Sequence, residues 1–103
     1  MQPLRLFLDT HDKTRETFPA KLTPAQFADF YDKYQRACRE EGVVPLRTHL
    51  SYEAGRAFCL NLAPDAEAVR RAHARVGLPF DAITEVLTAD PAGAFLAQPA
   101  PAA

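Results

Sequence analysis

The chain predicts an α+β fold in which a four-stranded antiparallel sheet carries two helices on one face. Three observations lead there. Apolar residues recur at every second position from Leu46 to Leu62 around a glycine-containing turn, which is the period of a β-hairpin with one buried face. Two stretches with apolar residues at three-to-four spacing flank that hairpin, each opened by a capping residue and closed by glycine, as helices are. Strand-like segments stand outside both, so the order reads strand, helix, strand, strand, helix, strand.

Taken in order, Leu4 to Asp9 is largely apolar, as a central strand would be. Lys13 to Leu22 is a polar connection longer than the usual few residues. Thr23-Pro24-Ala25-Gln26 combines an N-cap threonine, proline at the first helical position and glutamine three residues on, so a helix starts here. Its core stripe is Phe27, Phe30, Tyr31, Tyr34, Ala37 and Cys38, and Gly42 ends it. In the hairpin a three-residue loop, Glu53-Ala54-Gly55, sets Tyr52 opposite Arg56. Leu50 then faces Phe58, Thr48 faces Leu60, and on the other side of the sheet His49 faces Cys59. Asp65 caps a second helix with Ala66, Val69, Ala72, His73 and Val76 on one side, stopped by Gly77 and Pro79. Ala82 to Thr88, rich in β-branched residues, supplies the last strand. With short connections and right-handed crossovers, the commonest solution is a ferredoxin-like βαββαβ sandwich with sheet order 4-1-3-2. Residues 1–88 form that domain; residues 89–103 are an Ala/Pro-rich tail, expected to be disordered or docked on a partner.

Composition narrows the function. Twelve basic against thirteen acidic residues give a formal charge of -1, with no basic run or stripe, so nucleic acid has no electrostatic footprint. No apolar run approaches a membrane span and the N-terminus lacks the regions of a signal peptide, so a cytoplasmic protein with no membrane partner is expected. Cys38 and Cys59 have no zinc-finger spacing and are expected as reduced thiols. The uncovered sheet face is expected to hold Pro45, Arg47, His49 and Ser51 opposite Asn61, Cys59 and Ala57. That mixture suits packing against the same face of a second copy, giving a homodimer of the dimeric α+β-barrel type.

This topology gathers Asp9, His11, His49, Cys59, His73 and Glu85 at one end of the domain. An imidazole at 49 directly across from a thiol at 59 could touch one ion, and Asp9 and His11, two apart on an extended segment, point the same way. Imidazole with thiolate suits nickel, copper or zinc rather than magnesium or calcium, without choosing among the three. Each residue also has a plain structural explanation: a packed cross-strand pair, a small buried hydrophobe, a histidine serving the last carbonyls of a helix. A Cys59–His49 pair with Asp9 or Glu85 could alternatively serve nucleophilic chemistry or small-molecule binding, though no oxyanion or phosphate motif accompanies it. An interaction module without ligand remains a third reading.

The run Glu41-Gly42-Val43, His49, Phe58-Cys59-Leu60, Ala63-Pro64-Asp65, Glu67-Ala68-Val69, His73-Ala74-Arg75, Gly77-Leu78-Pro79 and Glu85-Val86, with Leu8-Asp9-Thr10-His11-Asp12 before it, resembles a family of small bacterial proteins first classed as a domain of unknown function and in part described as nickel-binding. The resemblance spans about residues 4 to 88. It implies a ferredoxin-like dimeric α+β barrel, transition-metal binding and no established reaction. Carried over, it points to Asp9, His11, Cys59 and His73, with His49 where some members also have histidine. One departure is Leu78, where similar proteins often carry histidine; this chain has one such ligand fewer.

Overall fold

The computed structural model describes residues 3–91; the last twelve residues of the expected tail lie outside them. Its strands are β1 (Arg5–Asp12), β2 (Val44–Ser51), β3 (Arg56–Ala63) and β4 (Ala82–Glu85), and its helices are α1 (Pro24–Glu40) and α2 (Ala66–Arg75). All the pairings are antiparallel and the sheet order is β2-β3-β1-β4. This is the ferredoxin-like arrangement that the order of elements predicts.

Local chemistry explains the helix ends. Thr23 and Gln26 form a reciprocal capping box, the Gln26 amide donating to Thr23 Oγ1 at 3.2 Å and the Thr23 amide to Gln26 Oε1 at 3.0 Å, which satisfies two otherwise orphaned donors. The C-terminus of α2 closes through Gly77 at φ 64°, with the Leu78 amide donating to the His73 carbonyl at 2.9 Å. Such a left-handed turn suits glycine and reverses the chain sharply. It sends Pro79 back towards the end of β1. Phe7, Tyr34, Cys38, Val43, Ala63, Ala68, Val69 and Ala72 form the core between the sheet and the two helices.

The hairpin register differs from the expected one. The loop has four residues, Tyr52 to Gly55, because Ser51 closes it twice: its carbonyl accepts from the Gly55 amide at 2.8 Å and its hydroxyl from the Ala54 amide at 3.0 Å. Ser51, not Tyr52, therefore stands opposite Arg56, and the pairs nearest the turn move by one residue: Leu50 opposite Ala57, His49 opposite Phe58, Thr48 opposite Cys59. An irregularity between Pro45 and Arg47 shifts the far end by one more, setting Pro45 opposite Asn61. A one-residue slip exchanges the two faces of a strand. His49 and Cys59 accordingly emerge on opposite sides of the sheet, and the expected cross-strand pair does not form.

The exchange turns β3 over, whereas Arg47, His49 and Ser51 of β2 stay on the outer face as expected. Ala57, Cys59, Asn61 and Ala63 are buried beneath the helices, while Phe58, Leu60 and Leu62 lie on the outer face and are only partly buried. On β1 the same alternation buries Phe7, Asp9 and His11 and leaves Leu6, Leu8 and Thr10 on the outer side. The outer face is thus more apolar than expected, and the inner one more polar. Strand β1 also runs three residues beyond Asp9, which carries His11 into the sheet opposite Ala57, whereas β4 stops at Glu85.

Candidate metal centre

Asp9 sits on β1 with no exposed surface. Asn61 Nδ2 on β3 donates to its Oδ1 at 2.9 Å, and its Oδ2 lies 2.8 Å from Nε2 of both His11 and His73. The two histidines come from different elements, His11 two residues along the same face of β1 and His73 from the last turn of α2. Both are nearly fully buried. Their rings stack at 18° with centroids 5.6 Å apart, and Tyr34 and Phe80 hold the His73 ring edge-on, each at 5.1 Å. One donor atom from each of Asp9, His11 and His73 lies within 4.8 Å of the others.

The far side of each ring fixes its proton. Nδ1 of His73 is 2.8 Å from the Val69 carbonyl, and Nδ1 of His11 is 2.8 Å from the Pro79 carbonyl and 3.2 Å from that of Thr17. A carbonyl oxygen only accepts, so both Nδ1 atoms carry hydrogen. In the neutral rings this leaves two Nε2 lone pairs aimed at a carboxylate, which is itself an acceptor. Such a convergence is satisfied only by a cation at its centre, either a proton on each Nε2 or a metal ion. Histidine ligands ordinarily donate their second ring nitrogen to a backbone carbonyl or carboxylate in this way.

Electrostatics agree with the geometry. Burial by itself would raise the Asp9 carboxyl, yet the hydrogen bonds from His11 and His73 outweigh it and hold the group below its usual value. Burial opposes charge on His11, but the Asp9 hydrogen bond, helped by Cys59, pushes that ring up to about 10. The cluster is therefore built to hold positive charge next to Asp9.

Cys59 lies beside His11 but outside the convergent trio. Its thiol accepts from Thr48 Oγ1 at 3.4 Å, and burial pushes it upwards. Cys38 is fully buried, with burial raising its thiol to about 11, as a core residue behaves. His49 is exposed on the outer face and takes no part. Glu85 pairs with Arg5 at 3.2 Å near the surface, outside the cluster. Sequence reasoning passed over Asn61; its signal is an amide in the middle of the otherwise apolar run Phe58 to Ala63.

The donor set suits the metals expected from sequence. Two imidazole nitrogens and a carboxylate oxygen are of intermediate hardness, matched to nickel, zinc, copper or iron, and too few and too nitrogen-rich for calcium.

No curated protein sequence matches the chain. The crystal structure of SCO4226 from Streptomyces coelicolor A3(2) superposes on it with a TM-score of 0.70 at 29% identity, covering 82% of this chain and 99% of that one. The sequence model of a family described as nickel responsive protein, SCO4226-like, matches residues 7–86, a span that includes Asp9, His11, Asn61 and His73. On these grounds the chain belongs to the SCO4226-like family of nickel responsive proteins.

Proposed function

We propose that the protein binds a divalent late first-row metal, nickel foremost, through Asp9 Oδ2 and the Nε2 atoms of His11 and His73. The observation that carries this reading is the pair of backbone-locked tautomers, which turns two lone pairs inward on one carboxylate. The family's description as nickel responsive supports the choice of metal, and nickel outranks iron and cobalt at such donor sets. Asn61 orients the carboxylate and the Pro79, Thr17 and Val69 carbonyls orient the rings. Cys59 is a neighbouring thiol, with a smaller part than the three converging donors.

We place this binding in the cytoplasm. Two free, buried cysteines suit a reducing compartment, and among the described residues no helix is long and apolar enough to cross a membrane. We further propose that the protein is a homodimer through the outer sheet face, where Leu6, Leu8, Phe58, Leu60 and Leu62 lie together and only partly buried.

Titrating nickel into the purified chain while following its melting temperature tests the metal reading. At a hundred times the dissociation constant, a ligand that binds only the folded state adds about 2.7 kcal/mol, equivalent to roughly 10 °C or more in a domain of this size. The shift should vanish in His73→Ala. An unmoved melting temperature of the unmutated chain with nickel, zinc and copper alike would overturn the assignment.

A further inference from the structure

Between α1, the sheet and the Lys13 to Leu22 connection lies a cavity of about 450 Å³, within the range that holds small molecules. Phe18, Leu22, Phe27 and Tyr31 wall it, and His11 and Cys59 belong to its floor. The room arises from residue size: β3 places Ala57 and Cys59 here, beneath a helix that supplies large rings. The Phe27 and Tyr31 rings stand nearly parallel, 5.2 Å apart, so part of the wall is aromatic. At the rim Lys21 and Asp29 carry one charge of each sign, which cancel.

His11 belongs both to this cavity and to the donor trio, so the cavity adjoins the proposed metal. A divalent ion with two neutral imidazoles and the Asp9 carboxylate leaves one net positive charge in a buried place, and three protein donors leave coordination positions open. Burying an uncompensated charge is costly, so a monoanion is the complement. The walls select the rest of the molecule: apolar, flat and about the size of one or two rings.

We propose that the cavity binds an aromatic monocarboxylate, its ring between the aromatic side chains of α1 and the loop, and its carboxylate at the His11 end beside the metal. The charge argument rests on the metal reading above; the cavity does not. The two are separable by experiment.

Benzoate is the probe, with benzyl alcohol as its neutral counterpart, each titrated calorimetrically into the full chain already saturated with nickel. Benzoate should saturate at least tenfold more tightly than the alcohol, and should perturb the visible absorption of the nickel. Leu22→Trp or Phe27→Trp, two substitutions that fill the cavity from different sides, should abolish benzoate binding and keep the nickel-induced rise in melting temperature. Nickel binding without saturable benzoate binding would overturn the cavity proposal and leave the metal reading intact. Equal affinity for the acid and the alcohol would overturn the anionic head group. If nickel itself fails to bind, the metal reading falls, and benzoate added to the metal-free chain decides the cavity: saturation that either tryptophan removes supports it, and no binding ends it.

Discussion

The two faces of the sheet invert the usual relation between burial and polarity. The inner face, under the helices, contains Asp9, His11 and Asn61 together with the small side chains Ala57, Cys59 and Ala63, all buried. The outer face carries Leu6, Leu8, Phe58, Leu60 and Leu62, none of them fully buried, and the exposed His49. Helix α1 accounts for the first half of this contrast: it brings Phe27, Phe30, Tyr31 and Tyr34, so the opposing strands must be small there. The polar groups are tolerated because Asp9 gathers them: Asn61 Nδ2 donates to one of its oxygens and the two imidazoles converge on the other. The comparison teaches that alternation reveals which residues travel together on a strand, and leaves open which side the rest of the chain will cover.

The contrast can be broken most severely at Asp9. Asp9→Ala leaves the buried, positively charged His11 ring without its counter-charge, and removing one partner of a buried charged pair costs about 3–5 kcal/mol; denaturant unfolding should show that loss together with the disappearance of any nickel effect. Protons probe the same face. In the chain stripped of metal by a chelator, the His11 value raised from 6.5 to about 10 contributes stability that is fully present below pH 6.5 and lost as pH climbs towards 10. The lowered Asp9 value acts in the opposite sense, its contribution being lost only as pH falls below 3.8. Unfolding midpoints should thus form a plateau between those limits and decline on the alkaline side, whereas nickel, which competes with protons for Nε2, should bind more tightly as pH rises. Asn61→Leu removes only the orienting amide and should weaken nickel affinity by about 10–100-fold in calorimetric titration.

On the outer face the expected effects are smaller and of another kind. Leu60→Lys should convert a sedimenting dimer to a monomer without abolishing nickel binding; a mutant that sediments as the unmutated chain does would dismiss this surface as the interface. Least of all, His49→Ala should change nickel affinity less than twofold and stability by no more than about 0.5 kcal/mol. A large loss there would mean that the outer face contributes to the metal centre after all.

Much of the architecture was legible because its signals are local. Thr23, Pro24 and Gln26 mark the start of α1, Gly42 and Gly77 mark both helix ends, and the order of elements leads to the observed strand order. The face assignment failed on one residue. A left-handed Gly55 serves a three-residue and a four-residue hairpin equally well, and the choice depends on Ser51 closing the turn with both its carbonyl and its hydroxyl. Of the five residues named for the site, Asp9, His11 and His73 converge and Cys59 lies next to His11, all buried; His49 stays on the outer face where it was expected, and the cluster forms on the other side. The Asp-x-His spacing was informative because two residues apart on a strand means the same face, whichever face that is. Asn61 was hidden by the inverted register, and main-chain acceptors have no residue-type signature at all.

Those acceptors shape how the site can change over time. Since Val69, Thr17 and Pro79 contribute oxygens that every amino acid possesses, replacing their side chains leaves the aim of both imidazoles intact so long as the chain keeps its course. Lengthening or shortening the segments around Thr17 and Pro79 by a single residue is what would turn a ring away. The neighbourhood can therefore drift widely in identity while remaining strict in length, and relatives that keep the spacing but little else would still point two nitrogens at the same oxygen.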